Sequence, residues 1–169
     1  MRLFDYEKLS AEMHARDIDV ILAGTKPNVE YLTDVEWMRW FDKENFLTED
    51  GENYAASFVG LPRDQKVGPF YVAPSTQTGY PENYGMWIED IRYWGPVFFV
   101  DGSDGQMESA DNPVARVAQV LREKGLDKGR IGVEWRHIEM HFVENLREFL
   151  PMATPVSYTH LTLPTILLV

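Results

Sequence analysis

Two histidines placed four residues apart, His137 and His141, are the pair of residues in this sequence best suited to hold a metal ion. They lie in the segment HIEMHFVENLREFLP, where apolar residues recur at helical spacing, so both imidazoles share a helix face with Glu144. Imidazole and carboxylate groups are suitable zinc ligands. The metalloprotease motif, however, requires a glutamate directly after the first histidine, and Ile138 stands there. A solvated helix face carries the same residue types, and we therefore predict no metal ligand.

Other common catalytic patterns are missing from the sequence. It contains no cysteine, which excludes disulfides, thiolate metal sites and cysteine nucleophiles. No serine lies in a nucleophile-elbow pattern, and no glycine-rich phosphate loop follows an expected strand. The residues alone therefore predict no catalytic group.

Aromatic residues are concentrated between Tyr31 and Phe99, which holds 16 of the 22. Within this stretch, the segment DVEWMRWFDKENF mixes tryptophan, methionine and arginine with acidic residues. Interfaces and pocket rims are enriched in tryptophan and arginine. Buried aromatic residues are also a normal part of a core. The stretch is therefore open to two interpretations, a binding surface and a core.

Composition places the chain among globular proteins with one domain. Its 169 residues are 44% hydrophobic and 25% charged, with a net charge of −11. Such an acidic chain is a poor partner for nucleic acid or an anionic membrane surface, because phosphate binding needs clustered lysine and arginine. No window approaches the roughly 20 apolar residues of a membrane span, and the N-terminus lacks the apolar core of a signal peptide. We expect a cytoplasmic protein.

Helical and strand patterns alternate along the chain. The first half predicts a helix over about 5–17 capped by Asp5, a strand at 19–24 and a short helix from Pro27. YAASFVGLP and PFYVAP predict an antiparallel hairpin, and VFFVDG a further strand. The second half predicts a helix over 111–125 with Asp111 or Asn112 as cap, a strand at 130–135 and a helix that begins at His137 and ends before Pro151. This order indicates an α/β fold in which helices flank a mixed sheet.

Three segments carry a pattern that resembles a known family: NVEYLTDV (28–35), VARVAQVLREKGLDKGRIGVEW (114–135) and LREFLP (146–151). They are similar, in this order, to three segments of the N-terminal domain of the creatinase, prolidase and aminopeptidase P family. These are an Asn-x-x-Tyr-Leu-Thr/Ser-Gly segment, a helix followed by a Lys/Arg-Ile-Gly-x-Glu strand, and a closing Leu…Leu-Pro. The resemblance covers about residues 3–155. Asp34 replaces the usual glycine after Leu-Thr, and the aromatic-rich middle is long, which leaves the substrate class open.

The resemblance implies a ribonuclease H-like domain without a catalytic metal. In that family, chemistry belongs to a following pita-bread domain whose Asp, Asp, His, Glu and Glu ligands hold two divalent metal ions in the peptidases. Creatinase and some relatives use no metal. The sequence has no match to that ligand set, so the resemblance transfers no catalytic residue and implies an inert fragment.

The resemblance also implies the chain's partners. The parent enzyme would be a homodimer that cleaves an Xaa-Pro peptide or another C–N bond in a small peptide or amine. Its N-terminal domain would shape the dimer and help to wall the active-site cleft. On this basis we predict that Trp37, Arg39, Trp40 and Phe41 line the substrate cleft.

The last residues differ in composition from the rest of the chain. VSYTHLTLPTILLV (156–169) contains no Asp, Glu, Lys or Arg, and its first ten residues resemble the translation of a transposon-end sequencing adaptor. We therefore predict a domain at 1–155 and a non-native tail at 156–169, with the hydrolase cut off before its catalytic domain. A native C-terminal strand is the alternative, because Thr and Val are frequent in strands.

Two further functional hypotheses remain open from the sequence. One is a stand-alone α/β module that uses the aromatic-rich stretch 31–99 to bind a small ligand or a protein. The other is a small metalloenzyme that uses His137 and His141.

Overall fold

The computed structural model describes residues 4–35, 57–95, 112–134 and 140–158. Within these ranges the helices and strands alternate, as the sequence predicts. The helices are α1 (Tyr6–Ala15), α2 (Lys26–Thr33), α3 (Tyr80–Asn83), α4 (Pro113–Glu123) and α5 (Met140–Phe149). The strands are β1 (Val20–Ala23), β2 (Phe58–Pro62), β3 (Phe70–Pro74), β4 (Asp90–Trp94), β5 (Arg130–Val133) and β6 (Thr154–Ser157).

The strands form one mixed sheet in the order β4-β3-β2-β1-β5-β6. Strands β1, β2 and β3 are joined antiparallel, which confirms the predicted hairpin. The pairs β3–β4, β1–β5 and β5–β6 are parallel. Because β1 and β5 run in the same direction, their carboxyl ends meet at one edge of the sheet, where open α/β sheets commonly place ligands. The predicted α/β class with a mixed sheet is confirmed.

Helices cover both faces of the sheet, and this explains why β1 is apolar along its whole length. Ile21 and Ala23 pack in one cluster with α1 and α2, whereas Val20 and Leu22 pack in a second cluster with α4 and α5. Alternate residues of a strand point to opposite faces, so each of these side chains reaches a separate core.

Two predicted helix caps are present. Asp5 accepts a hydrogen bond from the backbone N–H of Lys8 at the start of α1. The Asn112 side chain accepts from the backbone N–H groups of Val114 and Ala115, and Pro113 occupies the first turn of α4. Each cap satisfies backbone donors that have no partner inside the helix.

Some elements differ from the sequence prediction or lie outside the described residues. Strand β4 and the short helix α3 were not predicted, and the segment VFFVDG lies outside the described residues. Strand β6 crosses the predicted domain boundary, with Val156 and Ser157 paired to β5 and Tyr158 buried behind them. Residues of either origin can form such a strand, so the assignment of 156–169 as a non-native tail stays a prediction. Among the described helices, none is long and apolar enough to cross a membrane.

Candidate functional site

A buried carboxylate lies at the sheet edge where β1 and β5 end. Val133, the last residue of β5, pairs with Leu22 of β1, and Glu134 follows directly. Only 2% of Glu134 is exposed to solvent. An ionised carboxylate is costly to bury unless several donors satisfy its oxygens, so its hydrogen-bond partners determine what the site can do.

Four donors, from the turn between β1 and α2 and from the first turn of α2, satisfy this carboxylate. Its Oε2 atom accepts from the backbone N–H groups of Gly24 at 2.5 Å and Thr25 at 2.8 Å. Its Oε1 atom accepts from the Thr25 hydroxyl at 2.5 Å and from the Asn28 side-chain amide. Each oxygen therefore has two donors, which is the full capacity of a carboxylate in this plane.

The geometry of the turn explains why these donors converge. Thr25 is the N-cap residue of α2, with extended backbone angles of −79° and 141°, and its own side chain does not cap the helix. The first N–H groups of a helix lack internal partners, and the helix dipole favours an anion at that end. Glu134, which directly follows β5, therefore caps α2 with its carboxylate, because the Thr25 side chain does not cap this helix.

Tyr158 completes the surroundings of the carboxylate. It follows β6, is 4% exposed, and its hydroxyl has no hydrogen-bond partner within the part of the chain that the structure describes. Burial first, and then the nearby charge of Glu134, raise the pKa of Tyr158 above its usual range. The hydroxyl thus remains protonated beside the Glu134 carboxylate.

This cluster joins the end of β5 to the start of α2 and has no free catalytic group. All four donors are neutral, and both carboxylate oxygens are occupied, which leaves no lone pair directed toward solvent. A general base needs a free lone pair within reach of a substrate proton. We therefore assign Glu134 a structural role, holding the start of α2 against the end of β5.

A second buried polar group lies between the ends of β2 and β3. Gln77 is fully buried, and its side-chain oxygen accepts from the hydroxyls of Ser57 at 3.3 Å and Tyr71 at 3.2 Å. Burial raises the pKa of Tyr71 well above its ordinary value. This cluster has no ionised member, and it contributes a hydrogen-bonded link inside the core.

A surface cavity of about 310 Å³ lies beside β4. Two of the charged groups that line it are paired with each other: Asp90 contacts the Lys124 ammonium group at 2.8 Å, and it also contacts the Arg92 guanidinium group at 2.6 Å. Partial burial on its own raises the pKa of Asp90, but the hydrogen bonds and charges of Lys124 and Arg92 outweigh burial and hold this pKa below its usual range. The residues lining the cavity are Gly68, Pro69, Trp87, Glu89, Asp90 and Lys124.

The residues predicted from the sequence fall mostly outside the described ranges. This applies to Trp37, Arg39, Trp40 and Phe41, so their prediction as cleft-lining residues stays a prediction. His137 and the side chain of His141 also lie outside what the structure describes. Among the described residues, no group of three or more histidine, aspartate or glutamate side chains is arranged to hold a metal ion.

Most described members of the aromatic-rich stretch belong to the core. Phe70 and Tyr71 are fully buried in the sheet, whereas Tyr80 and Tyr84 of α3 are 43% and 53% exposed, with stacked rings. The core interpretation therefore accounts for most of the members of the stretch that the structure describes. The other members that are buried or pack against the core are Tyr31, Phe58, Trp87, Tyr93 and Trp94.

The Glu134 cluster was not recognised from the sequence. The sequence pattern predicts for Glu134 only a place in the strand at 130–135, and for Asn28 only the start of NVEYLTDV. The sequence carries part of the signal, because a glutamate directly follows one apolar strand and Thr25 with a helix start follows another. The pairing of these two strands is the part that the sequence does not give.

Comparison with known proteins places this architecture in a family. The family model described as the creatinase/prolidase N-terminal domain matches residues 6–163. A search of curated proteins found no match to the chain. Solved structures, at 21% identity or less in the cases below, show the same fold.

The chain is similar to a dipeptidase from Pyrococcus horikoshii, at 21% identity and a TM-score of 0.59, with 92% of this chain and 34% of that chain covered. It is similar to a proline dipeptidase from Streptococcus pneumoniae, at 15% identity and a TM-score of 0.61, covering 95% and 93%. It is also similar to the N-terminal domain of a cytoplasmic peptidase from Mycobacterium tuberculosis, at 13% identity and a TM-score of 0.60, covering 90% of both. The chain thus spans about a third of the Pyrococcus dipeptidase. Given the match over residues 6–163, the chain belongs to the creatinase/prolidase N-terminal domain family.

Proposed function

We propose that this chain is the accessory N-terminal domain of a larger hydrolase and has no catalytic activity of its own. The observation that supports this most directly is the family match over residues 6–163 in a chain that spans only 34% of a dipeptidase of similar fold. The one deeply buried carboxylate among the described residues, Glu134, is fully occupied by donors of its own chain. A domain built in this way supplies shape rather than chemistry.

The parent enzyme is proposed to cleave an Xaa-Pro peptide or another C–N bond in a small peptide or amine. The names of similar structures, a dipeptidase and a proline dipeptidase, support this substrate class. Two divalent metal ions, if the parent uses them, belong to its other domain. Metal ions in such a pair activate water and stabilise the developing negative charge.

The proposed setting is a homodimer in the cytoplasm. The name of one relative, a cytoplasmic peptidase, supports the compartment. The dimer and the wall of the substrate cleft would be shaped by this domain, with Trp37, Arg39, Trp40 and Phe41 as the proposed cleft residues.

Activity measurements on the purified chain test this proposal. We expect no hydrolysis of Xaa-Pro dipeptides, with or without added Mn²⁺, Co²⁺ or Zn²⁺, under conditions where a full-length prolidase is active. Turnover that depends on the chain would overturn the proposal. Sequencing intact source DNA beyond the codon for Pro155 supplies the second test: a continuing frame that encodes a catalytic domain supports the proposal, and an immediate stop after Val169 contradicts it.

A stand-alone binding module is the second candidate function. The cavity of about 310 Å³ beside Trp87 is the observation that favours it. The pairing of Asp90 with Lys124 weakens it, because those charges are not free to bind a ligand. Confirmation of the genomic stop would make this candidate the better one.

A further inference from the structure

The donors around Glu134 resemble those of a binding site for a carboxylate ion. The backbone N–H groups of Gly24 and Thr25 contact one oxygen, and the Thr25 hydroxyl and the Asn28 amide contact the other. All four donors come from residues 24–28, a continuous piece of chain that ends in a helix N-terminus. The groups that bind the anion therefore all belong to residues 24–28, and β5 only holds the Glu134 carboxylate close to them.

A second observation concerns the same site. The Tyr158 hydroxyl is a buried donor without a hydrogen-bond partner among the described residues, and the Glu134 charge acts on it. An unpaired buried donor is costly. The surroundings of the carboxylate thus contain more donor capacity than Glu134 uses.

We propose that residues 24–28 form a carboxylate-binding site, which Glu134 fills intramolecularly and which accepts a free monocarboxylate when that side chain is shortened. The proposal concerns the turn alone and does not depend on the hydrolase function. The chemical class follows from the donors, since two pairs of N–H and O–H groups match the two oxygens of a carboxylate. Chloride carries the same charge but lacks the two oxygens, and it therefore serves as the control for ionic strength.

Size restricts the ligand further. Substitution of Glu134 by glycine removes the carboxylate together with the carbons that carry it, and leaves space for an ion of two oxygens and one carbon. Formate has this composition. Longer monocarboxylates would crowd the backbone of residue 134, because a non-bonded carbon needs about 3.5 Å or more of separation.

A thermal unfolding titration of the whole chain tests the proposal. Glu134→Gly is heated with increasing sodium formate, and each point is compared with sodium chloride at the same ionic strength. Formate at ten times its dissociation constant should raise the Tm of this variant by about 3–6 °C beyond chloride. Wild type and Glu134→Gln, in which the site is still filled, should show no formate-specific rise.

The same titration can also overturn the proposal. An equal rise in wild type, Glu134→Gln and Glu134→Gly, or no rise beyond chloride in Glu134→Gly, overturns the proposal. Addition of Thr25→Val to Glu134→Gly removes one donor and should weaken the apparent affinity for formate about tenfold. If this double variant responds to formate as Glu134→Gly does, the ion binds elsewhere and the proposal also fails.

A variant that does not fold without the ion still decides the question. Glu134→Ala retains the β-carbon and perturbs the backbone less than glycine, so it serves as a second variant with a weaker expected response. If either variant is unfolded in chloride, recovery of its far-UV circular dichroism in formate replaces the Tm as the readout. No recovery at any formate concentration in both variants counts against the proposal.

Discussion

Asn28 donates a side-chain hydrogen bond to the carboxylate of Glu134, although 106 residues separate the two in sequence. Asn28 opens the segment NVEYLTDV, and Glu134 lies next to the end of the segment 114–135. Two of the three segments that resemble the creatinase and prolidase family are therefore in direct contact. This contact gives a physical reason for both residue types, because the asparagine amide and the carboxylate satisfy one another inside the protein.

Substitution of Glu134 by glutamine is the first prediction. The glutamine oxygen can still accept from the backbone N–H groups of Gly24 and Thr25, but its NH2 group then faces the Thr25 hydroxyl and the Asn28 amide nitrogen, which donate in the wild type. The substitution also removes the charge that strengthens four hydrogen bonds. We expect the free energy of unfolding to fall by about 3 kcal/mol. Urea denaturation followed by fluorescence measures the change.

A matched substitution on α5 controls for the loss of a negative charge. Glu144 is exposed, and Glu144→Gln should change the free energy of unfolding by no more than about 0.5 kcal/mol. Equal effects of the two substitutions would contradict the assignment of Glu134 as a lock between β5 and α2.

Removal of the Tyr158 hydroxyl is the second prediction. This hydroxyl is buried without a hydrogen-bond partner among the described residues, so Tyr158→Phe should leave stability unchanged or raise it by up to about 1 kcal/mol. Tyr6 offers the comparison, since its buried hydroxyl donates to the Pro62 carbonyl at 2.9 Å.

The matched variant Tyr6→Phe should lower the free energy of unfolding by about 1 kcal/mol, because the Pro62 carbonyl loses its donor. The two variants are compared in the same urea series. A cost for Tyr158→Phe as large as that for Tyr6→Phe would show that the Tyr158 hydroxyl does have a partner.

Local patterns predicted the parts of the fold that depend on neighbouring residues. The caps Asp5 and Asn112 and the hairpin of β2 and β3 each arise within a few residues of sequence, and the structure has all three. Strand β4 was missed although Ile91 and Tyr93 alternate in it with two charged residues, Asp90 and Arg92. Their charges are stabilised by α4 through Glu123 and Lys124, a contact that no local pattern contains.

The candidate site was missed for a related reason. The residue types in Thr25, Asn28 and Glu134 are ordinary for helix starts and strand ends, and only the parallel pairing of β1 with β5 brings them together. Parallel pairing joins segments that are distant in sequence, and a single sequence does not reveal which strands are neighbours. The family resemblance identified the two segments that contain Asn28 and Glu134, but it did not predict that these residues are in contact.

Close packing between β2 and β3 leads to the third prediction. Gly60 pairs with Phe70, and a β-carbon on residue 60 would overlap the Phe70 ring, which is fully buried. Because the ring has little space to move, Gly60→Ala should lower the free energy of unfolding by about 3 kcal/mol.

Gly85 provides the control for this substitution. It has a φ of 71° and no atom within 4 Å of an added β-carbon, so only the left-handed backbone opposes alanine there. Gly85→Ala should cost about 1 kcal/mol. A cost for Gly60→Ala no greater than this would mean that the Phe70 ring can shift away.

The charges around Asp90 give the fourth prediction, a dependence of stability on pH. Lys124 and Arg92 hold the pKa of Asp90 below its usual range in the folded protein, against the opposing effect of burial. The carboxylate therefore contributes stability that is complete above the unfolded-state pKa of about 3.9 and is lost as the pH falls through the lower folded-state pKa. Asp90→Asn should remove about 1 kcal/mol at pH 7, a modest value because the Asp90 side chain is 26% exposed.

Urea denaturation of wild type and Asp90→Asn across the acid range tests whether the stabilisation by Asp90 is lost as the pH falls. The difference between their free energies of unfolding should be constant from about pH 5 to 7 and shrink below about pH 4, since the wild-type carboxylate becomes protonated there. Glu89→Gln is the matched control, because it removes the same charge from the exposed residue that precedes Asp90 in the chain. It should change stability by less than about 0.5 kcal/mol at pH 7. A difference for Asp90→Asn that persists unchanged at low pH would show that the substitution acts through packing and not through the ion pairs with Lys124 and Arg92.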